Sequence, residues 1–229
     1  MNRIKVVQAA IRKRSRCVYL EIGVSRGRTF RRVVATEKLG VDPHFQMPMW
    51  ARRMAESKAQ STQYLQMTSD AFFEQHDDLL RHKGIDVALI DGLHSYEQAL
   101  RDIENVLRYL RDDGVIIVHD CNPKSASTGL SATSYADFRS RSHWWQFTWS
   151  GDVWKAIVHL RSKRQDIHVA VLDCDFGLGI IRKGSSESPL SFSTEEISAM
   201  NYESLASNRT NLLNLKSPDY LRSFFTGPL

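Results

Sequence analysis

The feature that most constrains this chain is a pair of short apolar runs, Ile85–Ile90 and Val115–Val118, joined by one strongly amphipathic segment over residues 95–111. In that segment Tyr96, Ala99, Leu100, Ile103, Val106, Leu107 and Leu110 recur at helical spacing. A helix with one apolar stripe packs that stripe on a sheet. A strand–helix–strand unit then puts both strand ends on the same edge of a parallel sheet, where α/β proteins hold their ligands. Ser95 with Gln98 forms a capping-box pattern ahead of the helix, and Gly114 closes the element. The polar residues after the two runs, Asp91 and His94, then His119, Asp120 and Asn122, are expected to converge on one site.

The same alternation runs along most of the chain. Helix is expected over 2–14, 28–38, 48–60, 69–82, 95–111 and 151–162, and strand over 17–22, 39–42, 64–67, 85–90 and 115–118. Ile167–Leu172 and Gly177–Ile181 read as a closing hairpin. Residues 121–150 have no clear period, and a loop of that length in a compact domain is usually functional or mobile. The tail from 184 begins Ser/Gly-rich and then reads as helices near 193–206 and 217–225. The expected fold is a Rossmann-like, doubly wound, mostly parallel seven-stranded sheet with a C-terminal β-hairpin strand and a helical tail.

Composition narrows the class. A chain of 229 residues, 42% hydrophobic and 25% charged, can bury its own core. No run is long enough to span a membrane and no signal peptide is expected, so the reading is cytoplasmic. Cys17, Cys121 and Cys174 lack zinc spacing and read as reduced thiols. The net charge of +5 and pI of about 9.2 raise nucleic acid as a partner. The one dense basic cluster, Arg12 to Arg16, is better read as the solvated end of the first helix, so a nucleic-acid partner is not expected. A mildly basic surface suits anionic substrates equally well.

Two sequence elements carry chemistry near the N-terminus. Glu21-x-Gly23-x-Ser25-x-Gly27 lies between a strand and the next element, where glycines let a ligand approach the backbone. It is neither the dinucleotide fingerprint nor a P-loop, and a plain tight turn is the alternative. Asp42 ends the second strand, where an acid holds ribose hydroxyls or initiates a turn before Pro43.

Taken together, the runs YLEIGVSRGRTF, GVDPHF and IDGLHSYEQALRDIENVLRYLRDDGVIIVHDCNP resemble a class I S-adenosylmethionine-dependent methyltransferase over residues 17 to about 182. More narrowly they resemble the macrocin O-methyltransferase and cephalosporin-hydroxylase-like branch, which includes metal-dependent sugar O-methyltransferases. The resemblance implies a methyltransferase domain over 1–183, with residues 121–150 as a substrate lid, and a separate helical tail over 184–229. It implies that Glu21, Gly23, Ser25 and Gly27 line the cofactor, that Asp42 binds its ribose, and that Ser69 and Asp70 lie beside its adenine. Asp91 counts both among the cofactor-binding residues and as a metal ligand. Asp120 is the second metal ligand and His94 the general base.

The branch usually carries an acid where this chain has His119; an imidazole adds no negative charge, which weakens the case for Mg²⁺ and slightly favours Mn²⁺ or a metal-free site, although Mg²⁺ remains the ion the resemblance implies. His119 and Asn122 are further candidate ligands. A methyl group passing from a sulfonium to an alcohol requires that the alcohol lose its proton, and a base such as His94 gives ~10²–10⁴-fold acceleration in that role. The bland alternatives stay open at this point: His94 capping a helix, Asp91 as a helix N-terminal charge, His119 as structural. His143, Trp144 and Trp145 are candidate residues for a saccharide-type acceptor, with a satellite apolar cluster as the alternative and Trp154 read as core. Other readings are a metal-independent small-molecule methyltransferase, an RNA-binding methyltransferase or binding module, and a hydroxylase. A homodimer is left open, as is whether the tail from 184 packs on the domain, covers the site or joins subunits.

Overall fold

A computed structural model describes residues 1–226. Two compact units are distinguished, Met1–Gly92 with Asp102–Ile117, and Leu93–Arg101 with Val118–Leu229, the latter described here to residue 226.

The first unit opens with α1 (Arg3–Ile11), capped by the Asn2 side chain. It continues through β1 (Val18–Ile22), β2 (Glu37–Val41), α2 (Met49–Glu56), β3 (Ser61–Leu65), α3 (Ser69–Gln75), α4 (Asp77–Lys83) and β4 (Ile85–Ile90). β1 and β4 are buried along their whole length, as expected of central strands covered on both faces. β1 pairs in parallel with both β2 and β4, and β2 in parallel with β3. The helix α5 (Tyr96–Tyr109) carries the anticipated stripe: Tyr96, Ala99, Ile103 and Val106 are buried. β5 (Leu110–Val118) follows it directly.

The second unit contains α6 (Tyr135–Arg141), α7 (Trp154–Lys163), β6 (Ile167–Leu172), β7 (Leu178–Lys183), α8 (Thr194–Ala199), α9 (Tyr202–Leu213), the two-residue β8 (Leu215–Lys216), a 3₁₀ turn at Pro218–Tyr220 and α10 (Leu221–Thr226). α7 is buried nearly all round, with Trp154 in the core as expected, and α8 and α9 pack on it. β6 and β7 form the expected antiparallel hairpin. The strand order is β3-β2-β1-β4-β5-β7-β6-β8.

The expected fold class holds, with corrections. The sheet has eight strands rather than seven, because Leu215 and Lys216 add a short parallel strand beside Val171 and Leu172 of β6. The helix expected over 28–38 does not form. The segment is a series of turns, and β2 begins at Glu37 instead of Leu39. The cause is Lys38, which lies fully buried in β2 and donates from Nζ to the carbonyls of Phe30 (2.6 Å), Val33 (3.1 Å) and Ala55 (3.1 Å). Carbonyls that a regular helix would satisfy internally are here gathered by an ammonium. β3 occupies 61–65 rather than 64–67. The helix expected over 69–82 breaks at His76 (φ −117°), and that over 193–206 breaks at Met200, which is extended. The segment 121–150 is not wholly irregular, since Ser134 caps α6 through the Asp137 amide. The three cysteines are free, and no helix among the described residues is long and apolar enough to cross a membrane.

Candidate active site

In the first unit four parallel strands end on one edge. Their carboxyl ends carry the Gly23–Gly27 loop after β1, Asp42 after β2, the Ser69–Asp70 turn after β3 and Asp91 after β4. The loop after β1 departs sharply from extended backbone. Gly23 has φ +85° and Ser25 has φ +47°. A Cβ on Gly23 would stand 2.0 Å from the Asp91 carbonyl oxygen, so only glycine lets these two strand ends approach. Ser25 turns its amide into the Asp42 carboxylate, donating to Oδ2 at 2.7 Å, while the His44 amide donates to Oδ1 at 2.7 Å. Each carboxylate oxygen retains acceptor capacity, enough for a pair of neighbouring hydroxyls. Thr68 caps α3 through the Ala71 amide, which fixes the turn holding Ser69 and Asp70.

Glu21 sits beneath this loop, 2% exposed, and accepts a hydrogen bond from the Tyr19 hydroxyl at 2.5 Å. Burial pushes its carboxyl up to about 8. The Tyr19 hydroxyl opposes that shift and the like charge of Asp91 adds to it. Asp91 is ion-paired with Arg3 of α1, so the unit carries its own cation at the end of β4.

In the second unit His94, His119 and Asp120 form one cluster. The ring Nδ1 of His94 lies 2.6 Å from the Trp149 carbonyl oxygen. A carbonyl only accepts, so Nδ1 carries the proton, and in the neutral ring Nε2 holds the lone pair. That Nε2 faces Asp120 Oδ2 at 3.5 Å. Asp120 is held in left-handed backbone (φ +62°), a conformation Asp tolerates better than most residues. Its Oδ1 accepts from Ser150 Oγ at 2.7 Å, and its Oδ2 lies 2.6 Å from His119 Nδ1. His119 Nε2 in turn lies 3.7 Å from Asp175 Oδ1, at the tip of the β6–β7 hairpin. His119 is thus committed through Nδ1 to orienting Asp120.

Two acceptors, the His94 lone pair and the Asp120 carboxylate, face each other across 3.5 Å. Such a pair is relieved by a proton on the ring or by a cation. The separation also suits two ligands sharing one ion at about 2.1 Å each, and a mixed nitrogen–oxygen donor set serves Mn²⁺ as well as Mg²⁺.

The remaining expected residues lie elsewhere. The Asn122 amide is used at both ends: Nδ2 donates to Asp173 Oδ1 at 3.0 Å and Oδ1 accepts from Arg209. It braces the segment after β5 through both bonds. His143, Trp144 and Trp145 are exposed, Trp144 by 80% and Trp145 by 56%. His143 stacks on Trp145 with the planes 3° apart.

Several residues that build the cluster have no local sequence signal. Trp149 is buried with Phe138 and Ala132, donates from Nε1 to the Leu130 carbonyl (2.8 Å), and offers its own carbonyl to His94. Gly151 has φ +60°, and a Cβ there would stand 1.8 Å from the His94 carbonyl oxygen. Asp152 caps α5 from a distance, its Oδ1 accepting from the Tyr96 amide at 2.9 Å, whereas the expected local cap, Ser95 to the Gln98 amide, is a long 3.4 Å. One clue was available: Trp149 to Asp152 is an aromatic–Ser–Gly–Asp run inside a stretch otherwise short of glycine.

Residues 20–121, somewhat less than half of the chain, match a family described as a methyltransferase domain. No curated protein matches the sequence significantly. Among solved structures, a putative O-methyltransferase from Klebsiella pneumoniae is similar with a TM-score of 0.54 at 14% identity, over 80% of each chain. The O-methyltransferase from Bacillus cereus, solved in complex with SAH, gives 0.51 at 14% identity, over 79% of this chain and 80% of its own. MycE, a methyltransferase of the mycinamycin biosynthetic pathway solved with Mg, SAH and mycinamycin VI, gives 0.46 at 14% identity over 79% of this chain, which spans only 48% of MycE. The Klebsiella and Bacillus proteins share the fold, and the match over residues 20–121 bears out the enzyme class expected from the sequence, a methyltransferase.

Proposed function

We propose that the protein is an S-adenosylmethionine-dependent O-methyltransferase of the macrocin-like branch, acting with a divalent ion on a hydroxyl of a sugar or glycosylated small molecule. The observation that carries this reading is the fixed tautomer of His94, whose lone pair is turned toward Asp120 by the Trp149 carbonyl.

The cofactor would lie over Gly23 to Gly27, with its ribose hydroxyls on Asp42, its charged amino-acid end above Glu21, and Ser69 and Asp70 beside the base. The missing Cβ at Gly23 lets the ends of β1 and β4 close on each other beside the loop, which sets the backbone over which the cofactor would lie. When bound, the cofactor supplies a methyl group on a positively charged sulfur. Asp91 and Asp120 would hold the metal, Mg²⁺ or Mn²⁺, with His119 orienting Asp120 from behind. His94 Nε2 would take the proton of the acceptor hydroxyl, leaving its oxygen to receive the methyl group as the carbon–sulfur bond breaks and the neutral thioether departs. The protonated ring then gains the Asp120 carboxylate as a partner, so the proton is stabilised where it arrives. Trp144 and Trp145 offer broad exposed aromatic faces of the kind on which sugar rings stack.

The 3.5 Å gap between His94 and Asp120 favours a second reading in which His94 is itself a metal ligand. One variant separates the two. With labelled S-adenosylmethionine, Mn²⁺ and a panel of glycosides as acceptors, His94→Ala is expected to lower transfer by at least about a hundredfold. Unchanged Mn²⁺ affinity in that variant supports the base, and loss of Mn²⁺ binding supports the ligand. Full turnover in the variant removes both.

A further inference from the structure

The opposite edge of the same sheet carries a second feature. A wide, open surface cavity of about 1,120 Å³, with Lys5, Arg12 and Arg32 exposed on it, lies between α1, the segment before β2 and the segment before β3. Cys17, Thr36 and Gln60, each immediately before its strand, stand in its wall, so it opens at the amino edge, away from the Gly23 loop and Asp42. Five cations line it, Lys5, Arg12, Arg14, Arg32 and Lys58, and no acidic residue does. The chain has 31 Lys and Arg against 26 Asp and Glu. These five therefore account for its whole formal excess, and the rest of the molecule is balanced.

Structural needs explain only part of this concentration. Arg14 is used by the protein, donating to the Ala10 carbonyl at 2.7 Å and pairing with Asp113 at 3.5 Å. Arg12 caps the C-terminus of α1, where a cation complements the helix dipole. Lys5 stands in the first turn, where a cation opposes that dipole, and the turn has no acid to offset it. Among the described residues, the side chains of Lys5, Arg12 and Arg32 make no hydrogen bond or ion pair within the protein. Lys5 and Arg12 are seven residues apart along the helix, a span of about 10 Å. A ligand that reaches both and also meets Arg32 must carry more than one anionic group. No aromatic residue lines the cavity, so the stacking platform of single-stranded nucleic-acid binding is missing.

We propose that this cavity is a second binding site, separate from the methyl-transfer site, for a small molecule bearing two or more phosphate groups, recognised by charge. The test uses the full chain and inorganic tripolyphosphate as probe, titrated calorimetrically in 150 mM salt. Three proteins are compared: wild type, K5Q/R12Q/R32Q, and a control that loses three exposed charges elsewhere, R53Q/R108Q/K163Q. Wild type and the control are expected to bind one equivalent alike, and the cavity variant at least about tenfold more weakly. S-adenosylhomocysteine binding is expected to be equal in all three and unaffected by tripolyphosphate, which keeps this site distinct from the cofactor's. Absence of binding by wild type overturns the proposal, as does equal weakening in the control, which would mark diffuse surface charge. Competition with S-adenosylhomocysteine, or binding of a 20-mer of uridylate without tripolyphosphate, overturns it too. Melting temperatures of both variants within a few degrees of wild type show that a lost signal is not lost folding.

Discussion

With the cofactor's amino group above the buried Glu21 carboxyl, as proposed, cofactor affinity would depend on pH in a way that can be worked out in advance. Its ordinary value is 4.5 and burial pushes it up to about 8, so near neutrality it is mostly protonated. A cationic amino group above it is attracted only to the ionised form. The ionised share is about 1% at pH 6 and about half at pH 8, so affinity should rise roughly fiftyfold between them. Calorimetry of S-adenosylhomocysteine in buffers of different ionisation enthalpy should also show about one proton released per ligand bound at pH 7. Glu21→Gln should bind with little pH dependence.

Stability gives a second reading of the same group. The folded value is raised, so its contribution is fully present below pH 4.5 and is lost as pH rises through 8, by at most ~5 kcal/mol at pH 9. Glu21→Gln should therefore melt higher than wild type at pH 9 and lose that advantage at pH 5. A dissociation constant flat from pH 6 to pH 8 in wild type, with no proton release, would refute the reasoning.

Two other perturbations follow from the geometry. Arg3→Gln frees the Asp91 carboxylate of its ion pair, and Mn²⁺ affinity, followed by electron paramagnetic resonance, is expected to increase several-fold. Gly151→Ala places a Cβ against the His94 carbonyl in a left-handed backbone, and is expected to cost about 2 kcal/mol or more in denaturant unfolding and to abolish methyl transfer.

What the sequence made legible was whatever depends on local pattern. The runs at Ile85–Ile90 and Ile167–Leu172, apolar but for Asp86 and His168, read as buried strands, and the stripe from Tyr96 to Val106 as a helix on a sheet. Their order placed Gly23, Asp42 and Asp91 at strand ends. What escaped was fixed by partners far along the chain. Lys38, a charged residue in an expected helix, is buried in β2 instead, where its ammonium gathers the Phe30 and Val33 carbonyls of that segment and the Ala55 carbonyl of α2. The cap of α5 comes from Asp152, 56 residues beyond Tyr96, and the tautomer of His94 from the carbonyl of Trp149, 55 residues beyond it. β8 is two residues long and exists only by pairing with β6. The brace on Asn122 comes from Arg209, 87 residues away, which no local pattern announces.

In the proposed function the strand ends around Gly23 and Asp42 hold a methyl donor's nucleoside, and His94 serves the chemistry instead of the binding. Calorimetric titration of S-adenosylhomocysteine into wild type, Asp42→Ala and His94→Ala at pH 8 tests it most directly. One saturable site in wild type, weakened at least about tenfold by Asp42→Ala and unchanged in His94→Ala, is the predicted result. No binding by wild type, or an Asp42→Ala variant that binds as tightly as wild type, would contradict it.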